Sequence, residues 1–123
     1  PGGRGDVSVE YGLQADPDVS IATGNRAPGV LLGAGVSTET ARQSLAKITA
    51  RPEFAPLRPI KAGQAHGLWH DFYNSPFNIL AIEAMARWVH PERFKDLDPQ
   101  ATMAEINRML KVGLDGQYWV DAK

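Results

Sequence analysis

The stretch from residue 76 to 89 constrains this chain more than any other. Its side chains are apolar nearly all round: Phe77, Ile79, Leu80, Ile82, Met85, Trp88 and Val89 leave one polar stripe, carried by Glu83 and Arg87. The pattern predicts a helix. Pro76 suits its first position, where a missing N–H is no loss, and His90-Pro91 closes it. Glu83 and Arg87 stand four apart, a favourable pair on a helix surface. A helix of this kind is buried on most sides, so the rest of the chain has to supply the layers around it.

Two short segments can form a sheet beneath that helix. Val19-Ser20-Ile21-Ala22-Thr23 is alternating and β-branched, and reads as a strand ending at Gly24. Residues 65–69 read as a second strand, followed by a polar and aromatic loop over 70–75. Between and around them lie helices. Ser8 can cap a short one over 9–15, with Glu10 in its first turn and Asp16-Pro17-Asp18 as its stop. Ser37 can cap another, in which Ala41, Leu45 and Ile48 recur on one face until Pro52. Residues 53–63 are broken by Pro56, Pro59 and Gly63 and predict a connection with at most a short strand near Ile60. Asp98-Pro99 pairs an N-cap with a first-turn proline and opens a last helix through Leu110, with Met103, Ile106 and Leu110 facing inward. Tyr118-Trp119-Val120 reads as an extended tail that packs back. Strands alternating with helices predict an α/β fold, a three-layer α/β/α lobe around a mainly parallel sheet.

Composition removes several function classes. The 123 residues carry 13 basic and 14 acidic side chains, a net charge of -1, which builds no positive field for nucleic acid. No apolar run approaches the roughly 20 residues that span a bilayer. There is no cysteine, so disulfides and thiolate metal sites are excluded. Pro1-Gly2-Gly3-Arg4-Gly5-Asp6 has no apolar core of a signal peptide and reads as a linker remnant, with the lobe over 7–123.

In parallel sheets ligands bind beyond the carboxyl ends of the strands. Two loops hold that position, 24–35 and 70–75. Trp69-His70-Asp71-Phe72-Tyr73-Asn74 sets three aromatics, an imidazole, a carboxylate and an amide at a strand-to-helix junction. Aromatics with a polar handle suit recognition of a small ligand; Phe72 reads as core, and Trp69, His70 and Tyr73 as cleft residues. Asn25 and Arg26 follow the first strand, and an arginine fork matches a carboxylate. Gly33-Ala34-Gly35 before a helix raises a nucleotide-binding, Rossmann-like enzyme domain as the alternative, although position 38 is Thr where a third glycine belongs. His66, His70 and His90 do not converge in sequence on one point, and no directly bound metal or cofactor is expected. No nucleophile elbow, phosphate loop or catalytic Cys/His set is present.

Two tracts carry a resemblance. Val7-Ser8-Val9-Glu10 with Leu13-Gln14-Ala15-Asp16-Pro17-Asp18-Val19-Ser20-Ile21-Ala22-Thr23-Gly24 resembles a segment of the periplasmic, class III substrate-binding proteins of iron-siderophore and cobalamin ABC importers. The run Trp69 to Asn78, continued by Glu83 to Glu92 and Phe94 to Pro99, is similar to the subset associated with ferric chelates. The resemblance implies two α/β lobes joined by a long helix, with an iron(III) chelate, siderophore or haem-like, held between them. This chain corresponds to the C-terminal lobe, without the N-terminal lobe or connecting helix. It further implies a periplasmic or extracytoplasmic, non-catalytic transport protein. Its partner is an ABC permease, whose arginines meet a surface glutamate at the position of Glu10. Asn25, Arg26, Trp69, His70 and Tyr73 carry over by their place in the cleft loops.

Overall fold

The computed structural model describes residues 8–122, so the linker expected over 1–6 lies outside the described residues. The order is α1 (Val9–Ala15), β1 (Ser20–Gly24), α2 (Thr38–Thr49), α3 (Arg58–Lys61), β2 (Ala65–Trp69), a 3-10 helix (His70–Asn74), α4 (Asn78–Val89), α5 (Pro99–Met109) and β3 (Trp119–Asp121). β2 is the middle strand. It pairs in parallel with β1, from Ser20 opposite Ala65 to Gly24 opposite Trp69. On its other side it pairs antiparallel with β3, from His66 opposite Asp121 to Leu68 opposite Trp119. The α/β class is as expected, with a mixed, mostly parallel sheet.

Because side chains alternate along a strand, β2 feeds two cores. Leu68 and Trp119 join Leu80, Ala81, Ala84 and Trp88 of α4 and Phe72 on one face. On the other face Val120 joins Val30, Leu32, Ala41 and Leu45, the last two from α2. Gly67 lies under this second cluster, and a Cβ there would stand 2.8 Å from Val120 Cγ1 and 3.0 Å from Val30 Cγ1. The three layers are therefore α2, sheet, and α4 with α5.

Three local expectations are corrected. α4 starts at Asn78 and not at Pro76, because the Ser75 hydroxyl takes the Phe77 N–H at 3.1 Å and holds Pro76 in a preceding turn. Glu83 is not paired with Arg87: Thr102 of α5 donates to both carboxylate oxygens, at 3.0 and 2.8 Å, and so ties α5 to α4. The segment near Ile60 is helical, since Pro59 suits the first turn of α3. α4 is also less enclosed than its composition predicts. Leu80, Ala81, Ala84 and Trp88 are buried, while Ile79, Ile82 and Val89 are 43%, 52% and 49% exposed.

α1 buries none of its side chains. It is tied down by Arg58, whose guanidinium reaches Asp16 at 2.9 Å and Asp18 at 2.6 Å. The opposite end of the sheet order is fastened by His66, buried at 6% exposure and stacked on Trp88 with ring centroids 4.4 Å apart. His66 Nδ1 meets Asp121 Oδ1 at 2.7 Å, which assigns the proton to Nδ1 and leaves the buried Nε2 unpartnered.

Trp88→Ala removes both the stack on His66 and the centre of the α4 core, and is expected to cost about 3–5 kcal/mol in urea unfolding; a loss below about 1 kcal/mol would show that the ring carries little of the core. The hydrogen bond from His66 holds the Asp121 carboxyl below its ordinary value of 3.8. A depressed carboxyl stabilises the fold above that ordinary value and loses its contribution as pH falls through the lower, folded one. The stability gap between wild type and Asp121→Asn is thus expected to close only below about pH 4. A gap that stays constant from neutral pH to pH 3 would remove the bond from the stability balance.

Candidate ligand cleft at the strand exits

β1 and β2 run parallel and end side by side at Gly24 and Trp69. Beyond them the chain turns in two ways. After Gly24 it enters a turn in which the Gly29 N–H donates to the Arg26 carbonyl at 3.1 Å. After Trp69 it winds into the 3-10 helix. The two exits are cross-linked. His70 Nδ1 lies 3.2 Å from the Thr23 hydroxyl, and the Asn25 amide donates to Asp71 Oδ2 at 3.2 Å.

Trp69, His70 and Tyr73 line one groove of about 370 Å³, with Thr23 and with Ile82 and Met85 of α4. The structure therefore brings three of the five expected cleft residues together. His70 and Tyr73 meet edge to face, centroids 5.3 Å apart, and Tyr73 is 67% exposed. Trp69 plays a different part. Its ring sits edge-on to Phe72 and Tyr118, each 5.2 Å away, and borders both cores. It is the half-buried floor on which the exposed pair stands. Asn25 lies outside the groove lining, its amide held by Asp71, which does not line the groove either. Arg26 is exposed on the neighbouring turn, outside the residues lining the groove, and among the described residues its guanidinium meets no carboxylate.

Thr23, Ile82 and Met85 line the groove although the sequence places them only in a strand and an apolar helix. Thr23 follows directly from its place at the end of the first strand. Ile82 and Met85 were hidden by the assumption that an apolar helix is covered on most sides. The chemistry offered is an apolar wall, an aromatic edge, an imidazole and a phenol, all open to solvent. That suits contact with a large ligand having both apolar surface and hydrogen-bonding groups.

The glycine loop is committed elsewhere. Gly33 N–H donates to the Gln117 carbonyl at 2.8 Å and Gly35 N–H to the Asp115 carbonyl at 3.4 Å. A pyrophosphate site needs such amides free. Gly33 adopts φ +122 and faces the Trp69 indole, where a Cβ would lie 3.0 Å from Nε1. The loop thus braces the cleft floor. Among the described residues no cluster of His, Cys, Asp and Glu gathers as a metal site. No helix of the described residues is long and apolar enough to cross a membrane.

Glu10 stands exposed on α1, within the first turn capped by Ser8. Its own backbone N–H and the Ser8 hydroxyl hold its carboxyl below the ordinary range, so it presents a full negative charge at neutral pH.

No family model and no curated protein matches the chain. Among solved structures, it is similar to the TroA-like periplasmic binding protein FepB from Veillonella parvula, with a TM-score of 0.86 over 95% of this chain at 24% identity. The fold is that of a TroA-like binding-protein lobe. The chain spans 35% of the length of that protein, so the match concerns one part of a larger architecture.

Trp69 and Tyr73 should separate cleanly in unfolding experiments. Trp69→Ala is expected to cost about 2–3 kcal/mol, less than a fully buried tryptophan, and Tyr73→Ala less than about 0.5 kcal/mol. Equal losses would place both rings in the core and remove the groove's exposed edge.

Proposed function

We propose that this chain is the C-terminal lobe of an extracytoplasmic substrate-binding protein, which captures an iron(III) chelate, siderophore or haem-like, in a cleft between two lobes. It delivers that cargo to an ABC permease. The observation that carries this reading is the likeness of nearly the whole chain to a TroA-like periplasmic binding protein, at a TM-score of 0.86. The groove at the strand exits supports it. His70 and Tyr73 offer polar contacts at an aromatic edge, while Ile82 and Met85 provide the apolar wall that a bulky chelate needs. Arg26, exposed beside the groove, suits the anionic groups of such a complex. No step of this function makes or breaks a covalent bond.

Glu10 serves docking in this reading. An exposed ion pair contributes little to affinity by itself, yet complementary charges steer encounter and fix register. The capping geometry is compatible with that role, since a first-turn carboxylate favours the helix dipole while pointing to water.

Titration with haemin and with an iron(III) tris-catecholate complex, followed by tryptophan fluorescence, tests the capture role. Saturable binding is expected, weakened about tenfold by Tyr73→Ala with the circular dichroism spectrum unchanged. Glu10→Lys is expected to leave that affinity alone and to reduce ATPase stimulation of the reconstituted importer. Binding indifferent to both Tyr73→Ala and His70→Ala would overturn the cleft assignment, and undiminished stimulation by Glu10→Lys would return Glu10 to a capping role.

A further inference from the structure

Residues 114–117 lie against the glycine loop and are pinned at both ends. At one end Asn107 clamps Leu114: the amide oxygen accepts the Leu114 N–H at 2.6 Å and the amide nitrogen donates to the Leu114 carbonyl at 3.0 Å. At the other, the Gln117 carbonyl accepts the Gly33 N–H at 2.8 Å, and the Thr38 hydroxyl donates to the Gln117 side chain at 2.8 Å. Between these anchors stand Asp115 and Gly116, both exposed. The Asp115 carbonyl accepts the Gly35 N–H at 3.4 Å. Its carboxyl group joins no hydrogen bond or ion pair among the described residues, and the Gly116 N–H has no partner there either. A carboxyl and the amide nitrogen that follows it are thus adjacent, open to solvent and unoccupied.

We propose that Asp115 isomerises spontaneously to isoaspartate, and that the change loosens the floor of the strand-exit cleft. With the carboxyl protonated, the Gly116 nitrogen attacks Asp115 Cγ. The carboxyl hydroxyl and the amide proton leave together as water, and a succinimide ring closes. Glycine presents no Cβ to hinder that approach. Water then opens the ring at either carbonyl. Opening at the former main-chain carbonyl leaves the backbone running through the side-chain methylene, an isoaspartate of unchanged mass. The fold itself requires the glycine that makes the attack easy: Gly116 holds φ +103, and a Cβ there would run into the Gly33 carbonyl oxygen. In the product an added methylene lies between the anchors at Leu114 and Gln117. It shifts the Asp115 and Gln117 carbonyls that hold Gly35 and Gly33, and Gly33 is the residue that braces Trp69. The site rests on its own chemistry and does not depend on what the cleft binds.

The test is ageing of the whole chain for several weeks at body temperature and mildly acidic pH, where an ordinary carboxyl is protonated part of the time. Trypsin then releases residues 112–123, which hold Asp115-Gly116 and, as an internal control, Asp121-Ala122. An isomer of unchanged mass is expected, separable by chromatography, placed at 115 by electron-transfer fragmentation and methylated by an isoaspartyl methyltransferase. It should exceed any isomer at Asp121 by about tenfold, since Ala122 has the Cβ that Gly116 lacks. The amides of residues 33–35 should exchange with solvent at least about fivefold faster in a share of molecules equal to the isomerised fraction. Asp115→Glu would have to close a larger, slower-forming ring; it should accumulate no isomer and keep its exchange protection through the same ageing. Absence of an isomer at 115, or equal amounts at 115 and 121, overturns the proposal. So does an isomer at 115 without faster exchange at 33–35, or equally faster exchange in aged Asp115→Glu, which would trace the loosening to another change.

Discussion

The missing side chain at Gly67 is the constraint on which the rest of the structure turns. β2 is covered on both faces, and on the α2 face Val30, Leu32 and Val120 close directly over its backbone. A methyl group at 67 would stand 2.8 Å from Val120 Cγ1 and 3.0 Å from Val30 Cγ1, so those two side chains would have to give way, and Val30 belongs to the extended segment that lies over the sheet. That segment leads straight into Gly33, the residue that braces Trp69. A packing requirement at the middle of the sheet is thus transmitted, through one short extended stretch, to the floor of the cleft.

The same floor is held from a third side. The Trp69 N–H donates to the Tyr118 carbonyl at 2.8 Å, and Tyr118 packs edge-on against the Trp69 ring. Burial and the nearby Asp115 charge push the Tyr118 phenol above its ordinary value, so it stays neutral at the pH of any ordinary environment. The exposed pair, His70 and Tyr73, therefore stands on a base made of three segments far apart in sequence, residues 33–35, 69–72 and 115–118. Rigid support beneath exposed contact residues is the arrangement that lets a binding surface keep its shape before the ligand arrives.

Much of this was legible in the sequence, and the particular residues show why. The first strand, the residues 65–69 strand, the Ser8 and Ser37 caps and the Asp98-Pro99 start were readable because each rests on local chemistry: β-branched alternation, a hydroxyl or carboxylate three residues from an N–H, a proline where no donor is needed. What escaped was decided by distant partners. Glu83 turned from Arg87 to Thr102 because α5 lies against it. Asn25 turned toward Asp71 because the two strand exits are neighbours only once the sheet forms. Ile79 and Ile82 stayed exposed because how many neighbours cover a helix is a property of the assembled lobe, and its own periodicity reports only which residues are apolar. Trp69 lines the groove, and its place there as a half-buried support depends on Tyr118, which lies 49 positions later in the chain.

The antiparallel third strand has a consequence for how the lobe comes into being. β1 and β2 can pair as soon as both have been synthesised, but the face formed by Leu68, Trp88 and the neighbouring α4 residues lacks Trp119, and His66 lacks Asp121, until the last of these segments leaves the ribosome. During that interval the chain carries an open apolar plate with a buried-type histidine still facing water. Nascent proteins in such a state are the usual clients of holding chaperones, and sheets that wait for a distant strand are slow to close. A three-residue strand thereby sets the moment at which a nascent chain becomes a finished lobe.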